Sequence, residues 1–171
     1  MGTNDPQDAF IERLNRHRGI LFKVAHAYCR DPASRDDLVQ DMIVQLWRAY
    51  ARFDERLRFS TWMYRIAVNV AISFYRRQAR TRQSLVRAEA RVLENLPAAR
   101  ETEVDDRLIA LRESIDQLDE LNRALMILYL DDNSYAEIAA ILGISETNVA
   151  TKVARIKERL RRDLNVAARN G

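Results

Sequence analysis

Between residues 62 and 80, side chains suited to binding phosphates and bases recur at helical spacing. At about 100° per residue, Trp62, Arg65, Asn69, Ser73, Arg76 and Arg80 fall on one stripe roughly 80° wide. Met63, Ile66, Ala67, Val70, Ala71 and Phe74 occupy the opposite arc. Such a helix docks by its apolar side and holds something anionic on the other. Arginines neutralise phosphates, an indole stacks on an unpaired base, and a carboxamide bonds a base edge. A run of arginines alone describes a solvated face; the indole and Asn69 in the same stripe favour binding. Covalent chemistry has less support. His26 and Cys29 are three apart and could share a helix face, the minimum for a metal or nucleophile pair. No third ligand or orienting carboxylate joins them at a sensible spacing. With no glycine-rich phosphate loop and no Ser-His-Asp arrangement either, no catalytic residue, metal site or cofactor is expected.

The elements that carry these residues must be helices. The chain of 171 residues has only 4 Gly and 3 Pro, 47% apolar and 31% charged residues, a composition that leaves few turns for a β fold. An all-α protein is expected, of one ordinary domain or two small ones. No run of about 18 apolar residues exists and the start is polar, so neither a spanning helix nor a signal peptide is expected, and the protein reads as cytosolic. The single cysteine, Cys29, excludes an internal disulfide.

Charge is distributed unevenly around a net +3. Arg76 to Arg91 holds six arginines against Glu89, and Lys152 to Gly171 holds seven cations against Glu158 and Asp163. Between them Glu101 to Glu120 holds eight acids against Arg107 and Arg112. Two basic blocks separated by an acidic one suggest two contacts with a polyanion.

In chain order, Phe10, Leu14, Leu21, Val24, Ala25 and Tyr28 predict one long helix from Asp8 to Arg30. Asp31 and Pro32 end it, and Ser34 with Asp37 resembles a capping box for the next helix, to about Ala51. Its apolar side is Leu38, Val39, Met42, Ile43, Leu46, Trp47 and Tyr50. Ser60 or Thr61 is the expected cap of the stripe-bearing helix. The loop before it carries Phe53 and Phe59, which could form one wall of a base pocket. Pro97 and the acidic run after it read as a tether. Further on, Ser134-Tyr135-Ala136-Glu137 is a capping box, Gly143 a helix stop and Ser145 the next cap. Ala139, Gly143 and Val149 are spaced as in a helix-turn-helix. On the last helix Val149, Val153, Ile156 and Leu160 share one side. Thr147, Ala150, Thr151, Ala154, Arg155 and Glu158 point away, short residues first, as entry into a major groove requires. Lys152, Lys157, Arg159, Arg161 and Arg162 supply phosphate contacts.

Several of these segments resemble a known family. Asp36-Asp37-Leu38-Val39-Gln40-Asp41, Leu46-Trp47-Arg48-Ala49, Arg52-Phe53-Asp54 and Ser60-Thr61-Trp62-Met63-Tyr64-Arg65-Ile66-Ala67-Val68-Asn69 resemble region 2 of the extracytoplasmic-function (ECF) sigma factors of bacterial RNA polymerase. Leu128-Tyr129, Ser134 to Ala139 and Leu142-Gly143-Ile144-Ser145 resemble sigma region 4. The recognition helix departs from the family's common Gly-Thr-Val-Lys-Ser-Arg, having Thr147-Asn148-Val149-Ala150-Thr151-Lys152.

The resemblance implies two small helical domains joined by a flexible linker: residues 1–94 for the polymerase clamp and the −10 element, 95–115 as linker, and 116–171 for the −35 element. Asp37, Leu38, Gln40 and Asp41 would face the clamp of the largest polymerase subunit. Phe53, Trp62 and Asn69 would lie at the melted strand; with Ser60, Arg65, Arg76, Arg77 and Arg80 they complete the expected −10 set. Thr147, Asn148, Ala150, Thr151, Ala154 and Arg155 form the −35 set. Core polymerase, promoter DNA and an opposing anti-sigma protein are the implied partners, without membrane insertion. The alternative is a helix-turn-helix regulator that binds duplex DNA without being a polymerase subunit, its first domain serving dimerisation or sensing.

Overall fold

The computed structural model describes residues 5–88 and 106–170. Those residues form eight helices and no strand. Four make the amino-terminal half: α1 (Pro6–His17), α2 (Gly19–Tyr28), α3 (Pro32–Tyr50) and α4 (Phe59–Ala88). Four make the carboxy-terminal half: α5 (Asp106–Asp116), α6 (Glu120–Leu130), α7 (Tyr135–Leu142) and α8 (Glu146–Asn170).

The first half is built on α4, which packs against α2 and α3. Leu21, Val24, Leu38, Met42, Leu46, Met63 and Ala67 are almost wholly buried at these contacts, and each large apolar side chain so buried contributes roughly 1.5–3 kcal/mol. The single helix expected from Asp8 to Arg30 is two. It breaks at Arg18, which keeps helical angles (φ −55°, ψ −27°) while the chain turns between α1 and α2. The start of α3 also differs from expectation. Asp31 is the cap, accepting from the backbone N–H of Ser34, and Pro32 takes the first helical position, where its missing N–H costs nothing. Ser60 and Thr61 likewise lie inside the first turn of α4 rather than capping it, and the Trp62 N–H already donates to the Arg58 carbonyl.

In the second half α5 packs along α8, with Leu111 and Ile115 against the core. The linker expected over residues 95–115 is therefore corrected: residues 106–115 belong to the carboxy-terminal bundle, and the remainder of that segment lies outside the described residues. The helix-turn-helix forms as its local signals require. Ser134 and Glu137 cap each other reciprocally, Gly143 adopts φ +70°, and the Ser145 hydroxyl accepts from the Asn148 N–H. Ala139, Val149 and Val153 are buried between α7 and α8.

The halves are packed on each other, α4 against α6 and α7 and α2 against α6. This explains two burials that helical periodicity alone missed. Tyr64 and Val68 are 3% and 2% exposed because the flank of α4 between stripe and core is covered by the second half.

Candidate nucleic-acid interface

The stripe on α4 stands as its spacing predicts. Arg65, Asn69, Ser73, Arg76 and Arg80 are all exposed, while Ala67, Ala71 and Phe74 are buried beneath them. The Asn69 carboxamide makes no hydrogen bond among the described residues; only its backbone carbonyl is engaged, by the Ser73 hydroxyl at 2.9 Å. Its donor and acceptor are both turned to whatever lies on the stripe.

At the amino end of α4 the stripe runs into an aromatic wall. Trp62 is half-buried, its ring 4.9 Å from Phe53, 5.3 Å from Phe59 and 6.4 Å from Tyr50. Phe10 and Trp47 extend the same cluster from α1 and α3. Tilted rings at these spacings hold one another in place, so the loop between α3 and α4 presents Phe53 beside Trp62 as a fixed apolar surface. The Arg13 guanidinium lies 5.6 Å above the Phe53 ring, a neighbour that no linear pattern pointed to. Ser60 is partly exposed at the edge of this wall.

The remaining residues of the expected −10 set divide by partner. Arg76 donates to Glu120 of the second half at 2.7 Å. Arg77, which lies off the stripe, sits over Phe74 and reaches Asp41 of α3 at 3.2 Å. Arg80 has no ionic partner among the described residues.

On α3, Asp37, Gln40 and Asp41 are exposed in the first turns. Leu38, expected beside them, is corrected. It is wholly buried, because its place one residue after Asp37 turns it onto the α4 side of the helix. Three residues rather than four therefore form the outward set.

On α8, Thr147, Asn148, Thr151, Ala154 and Arg155 are exposed and Ala150 is half-exposed. The Thr151 hydroxyl donates to the Thr147 carbonyl, which ties up its proton within the helix. Behind them Lys157 donates to the Tyr129 hydroxyl at 3.2 Å. His26 and Cys29 do not converge. His26 contacts the Phe22 carbonyl and Arg35 at the surface, while Cys29 is buried beyond the end of α2, and burial raises its thiol above the ordinary value. No described helix is long and apolar enough to cross a membrane.

Known proteins share this arrangement. Residues 14–81 match the family model Sigma-70 region 2, and residues 108–160 match Sigma-70, region 4. The chain is 31% identical over 164 residues to the RNA polymerase sigma factor CnrH of Cupriavidus metallidurans, covering 90% of this chain and 85% of that one. It is 26% identical over 170 residues to the ECF RNA polymerase sigma factor SigW of Bacillus subtilis, covering 92% and 90%. Among solved structures, CnrH in complex with the cytosolic domain of CnrY superposes with TM-score 0.67 at 25% identity, covering 94% of this chain and 90% of that one. The sigma factor RpoE in complex with the anti-sigma factor NepR from Bartonella quintana superposes with TM-score 0.64 at 21% identity, over 96% and 99%, and shares the fold. With both regions matched in order and relatives aligned over most of their length, the chain belongs to the ECF sigma factors of RNA polymerase.

Proposed function

We propose that this chain is a promoter-specificity subunit that binds bacterial core RNA polymerase and has no catalytic chemistry of its own. The observation that carries the reading is the continuity of the α4 stripe with the aromatic wall. Phosphates of a melted −10 strand run along Arg65, Arg76 and Arg80, Asn69 bonds a base edge, and an unpaired base rests against Trp62 and Phe53. Ser60 borders that pocket, and Arg77 braces α4 against Asp41. Asp37, Gln40 and Asp41 meet the polymerase clamp. The amino end of α8 enters the −35 major groove: Ala150 and Ala154 contact thymine methyls, Asn148 and Arg155 bond base edges, and Thr147 and Thr151 line the approach. Its place of action is the cytoplasm, where the polymerase and promoter are. An anti-sigma protein is the expected opponent, as RpoE has NepR.

Abortive and run-off transcription with core polymerase, purified protein and a pool of genomic promoter fragments tests this. Start sites that arise only on adding the protein support the reading and define both promoter elements. Binding to duplex DNA without any complex with core would replace it with a free-standing regulator.

A further inference from the structure

A cavity of about 200 Å³ lies where the end of α2, the later turns of α4, the end of α5 and the start of α6 meet. Two of its lining residues, Tyr28 and Arg123, are buried at 5% and 3% exposure. Tyr75 is half-buried, and Arg30 and Arg82 are exposed at the mouth. None of them belongs to the −10 or the −35 set. The volume falls below the roughly 300–1,000 Å³ of sites that enclose drug-sized molecules, so a small ion suits it better than a nucleotide.

Arg123 sets the chemistry. A guanidinium keeps its charge at every physiological pH, so a buried one must be compensated by its surroundings. Here the compensation is incomplete. Its terminal nitrogens donate to the backbone carbonyls of Asp116 at 2.5 Å, Leu118 at 3.4 Å and Ala27 at 3.4 Å. The Tyr28 and Tyr75 rings lie 5.5 Å and 5.0 Å away. All of these groups are neutral. The Nε–H has no acceptor among the described residues, and a buried charged donor left unpaired is among the costlier defects a fold can carry.

The carboxylates on the cavity wall are committed elsewhere. Asp116 takes both the Nε–H and a terminal N–H of Arg30. Asp31 caps α3, accepting from the Ser34 N–H at 2.8 Å. The Ser34 hydrogen bonds are also what chiefly hold the Asp31 carboxyl below its ordinary value, Arg82 being the smallest contributor. Gln78 spends its amide on the Ser34 hydroxyl at 3.1 Å. Arg82 therefore lines the cavity without an ion pair among the described residues. With Asp116 neutralised by Arg30, the wall presents the Arg82 and Arg123 guanidiniums against Asp31 alone. We propose that this cavity is a binding site for a small tetrahedral oxyanion of the phosphate class, held between Arg123 and Arg82. Oxygens of such an ion accept charge-assisted hydrogen bonds from both guanidiniums and supply the negative charge that the neutral groups around Arg123 lack.

The test uses the full-length protein with inorganic phosphate as the probe and chloride at matched ionic strength, about 0.1 M, as the control. Calorimetric titration should show one phosphate bound per chain, and phosphate should raise the melting temperature above that in chloride. Arg82→Gln should weaken phosphate binding roughly tenfold, the loss of one charge-assisted hydrogen bond. Arg82 is exposed, so its replacement leaves the fold intact, as circular dichroism would verify. Arg16→Gln, which removes an exposed arginine that pairs with Glu12 on α1, should leave phosphate affinity unchanged. Equal behaviour in phosphate and chloride overturns the proposal, as does unaltered binding in Arg82→Gln or equal weakening in both variants. Displacement of the phosphate by a single strand of about twelve thymidines would assign the cavity to DNA and overturn its assignment to a free anion.

Discussion

Asn69 combines exposure with unused hydrogen-bonding capacity, whereas the arginines around it can act through charge alone. Replacing Asn69 by Ala should therefore impair initiation at promoters while leaving the complex with core polymerase nearly intact, as read by run-off transcription beside a polymerase-binding assay. Loss of both together would make it a folding residue, which its exposed position argues against. On α8, Arg155 projects from the exposed face two turns beyond Asn148. An Arg155→Ala change should weaken −35 duplex binding by about 1–3 kcal/mol if the guanidinium is bidentate to a guanine, measured by competition among duplexes altered one base pair at a time. Uniform weakening across all the duplexes would reduce Arg155 to a phosphate contact. Tyr28 and Tyr64 keep their phenolic protons at neutral pH. Burial raises both phenols well above their ordinary range, and the hydrogen bond to Asp131 adds to this at Tyr64.

At the level of elements, the turn between α7 and α8 depends on Gly143. Its φ of +70° strains any residue with a Cβ, although a Cβ there would meet nothing within 4 Å. Gly143→Ala should accordingly cost about 1–2 kcal/mol in urea denaturation, through backbone strain alone. A much larger loss would mean that the turn had moved. This motif was legible in the sequence because its determinants are local: a capping box, a stop and a second cap within a dozen or so residues. The stripe on α4 was legible for a related reason, since helical periodicity reports which residues lie opposite the core. What was not legible depended on distant partners. Leu38 is not such a case: it was already on the apolar side of α3 by periodicity, and only the family resemblance set it among outward residues; its burial agrees with the periodicity. Tyr64, Val68 and Arg123 are buried by the other half, which periodicity within one helix cannot reveal. The acidic block from Glu101 to Glu120 carries no local sign of its partners; Asp116 and Glu120 within it pair with Arg30 and Arg76 of the first half. The break at Arg18 has one local mark, Gly19 directly after it, which the apolar periodicity from Asp8 to Arg30 overrode.

For the whole molecule, the contact between halves makes compactness depend on pH. A hydrogen bond from Arg76 across the contact holds the Glu120 carboxyl below its ordinary value of 4.5, whereas Glu137 is lowered first by its own cap, the Ser134 backbone and hydroxyl, with Arg58 across the contact adding less. A carboxyl depressed in the folded, closed state contributes stability above its ordinary value, and that contribution is lost as pH falls through the lower folded value. Scattering measured from neutral pH downward should show the halves parting below about pH 4.5 before helix content falls by circular dichroism; simultaneous loss would mean that the halves do not separate independently. The aromatic wall has an optical consequence. Both indoles, Trp47 and Trp62, lie in the amino-terminal half, 6.5 Å and 6.4 Å from the Tyr50 ring, and residues 106–171 contain no tryptophan. The protein thus carries an intrinsic emission probe on only one of its two proposed DNA-binding surfaces. Titration with a −10 single strand should quench or shift tryptophan emission as a base covers Trp62, whereas a duplex carrying only the −35 element should leave the spectrum unchanged. A spectral response to that duplex would show that occupancy at α8 is transmitted across the contact to the indoles.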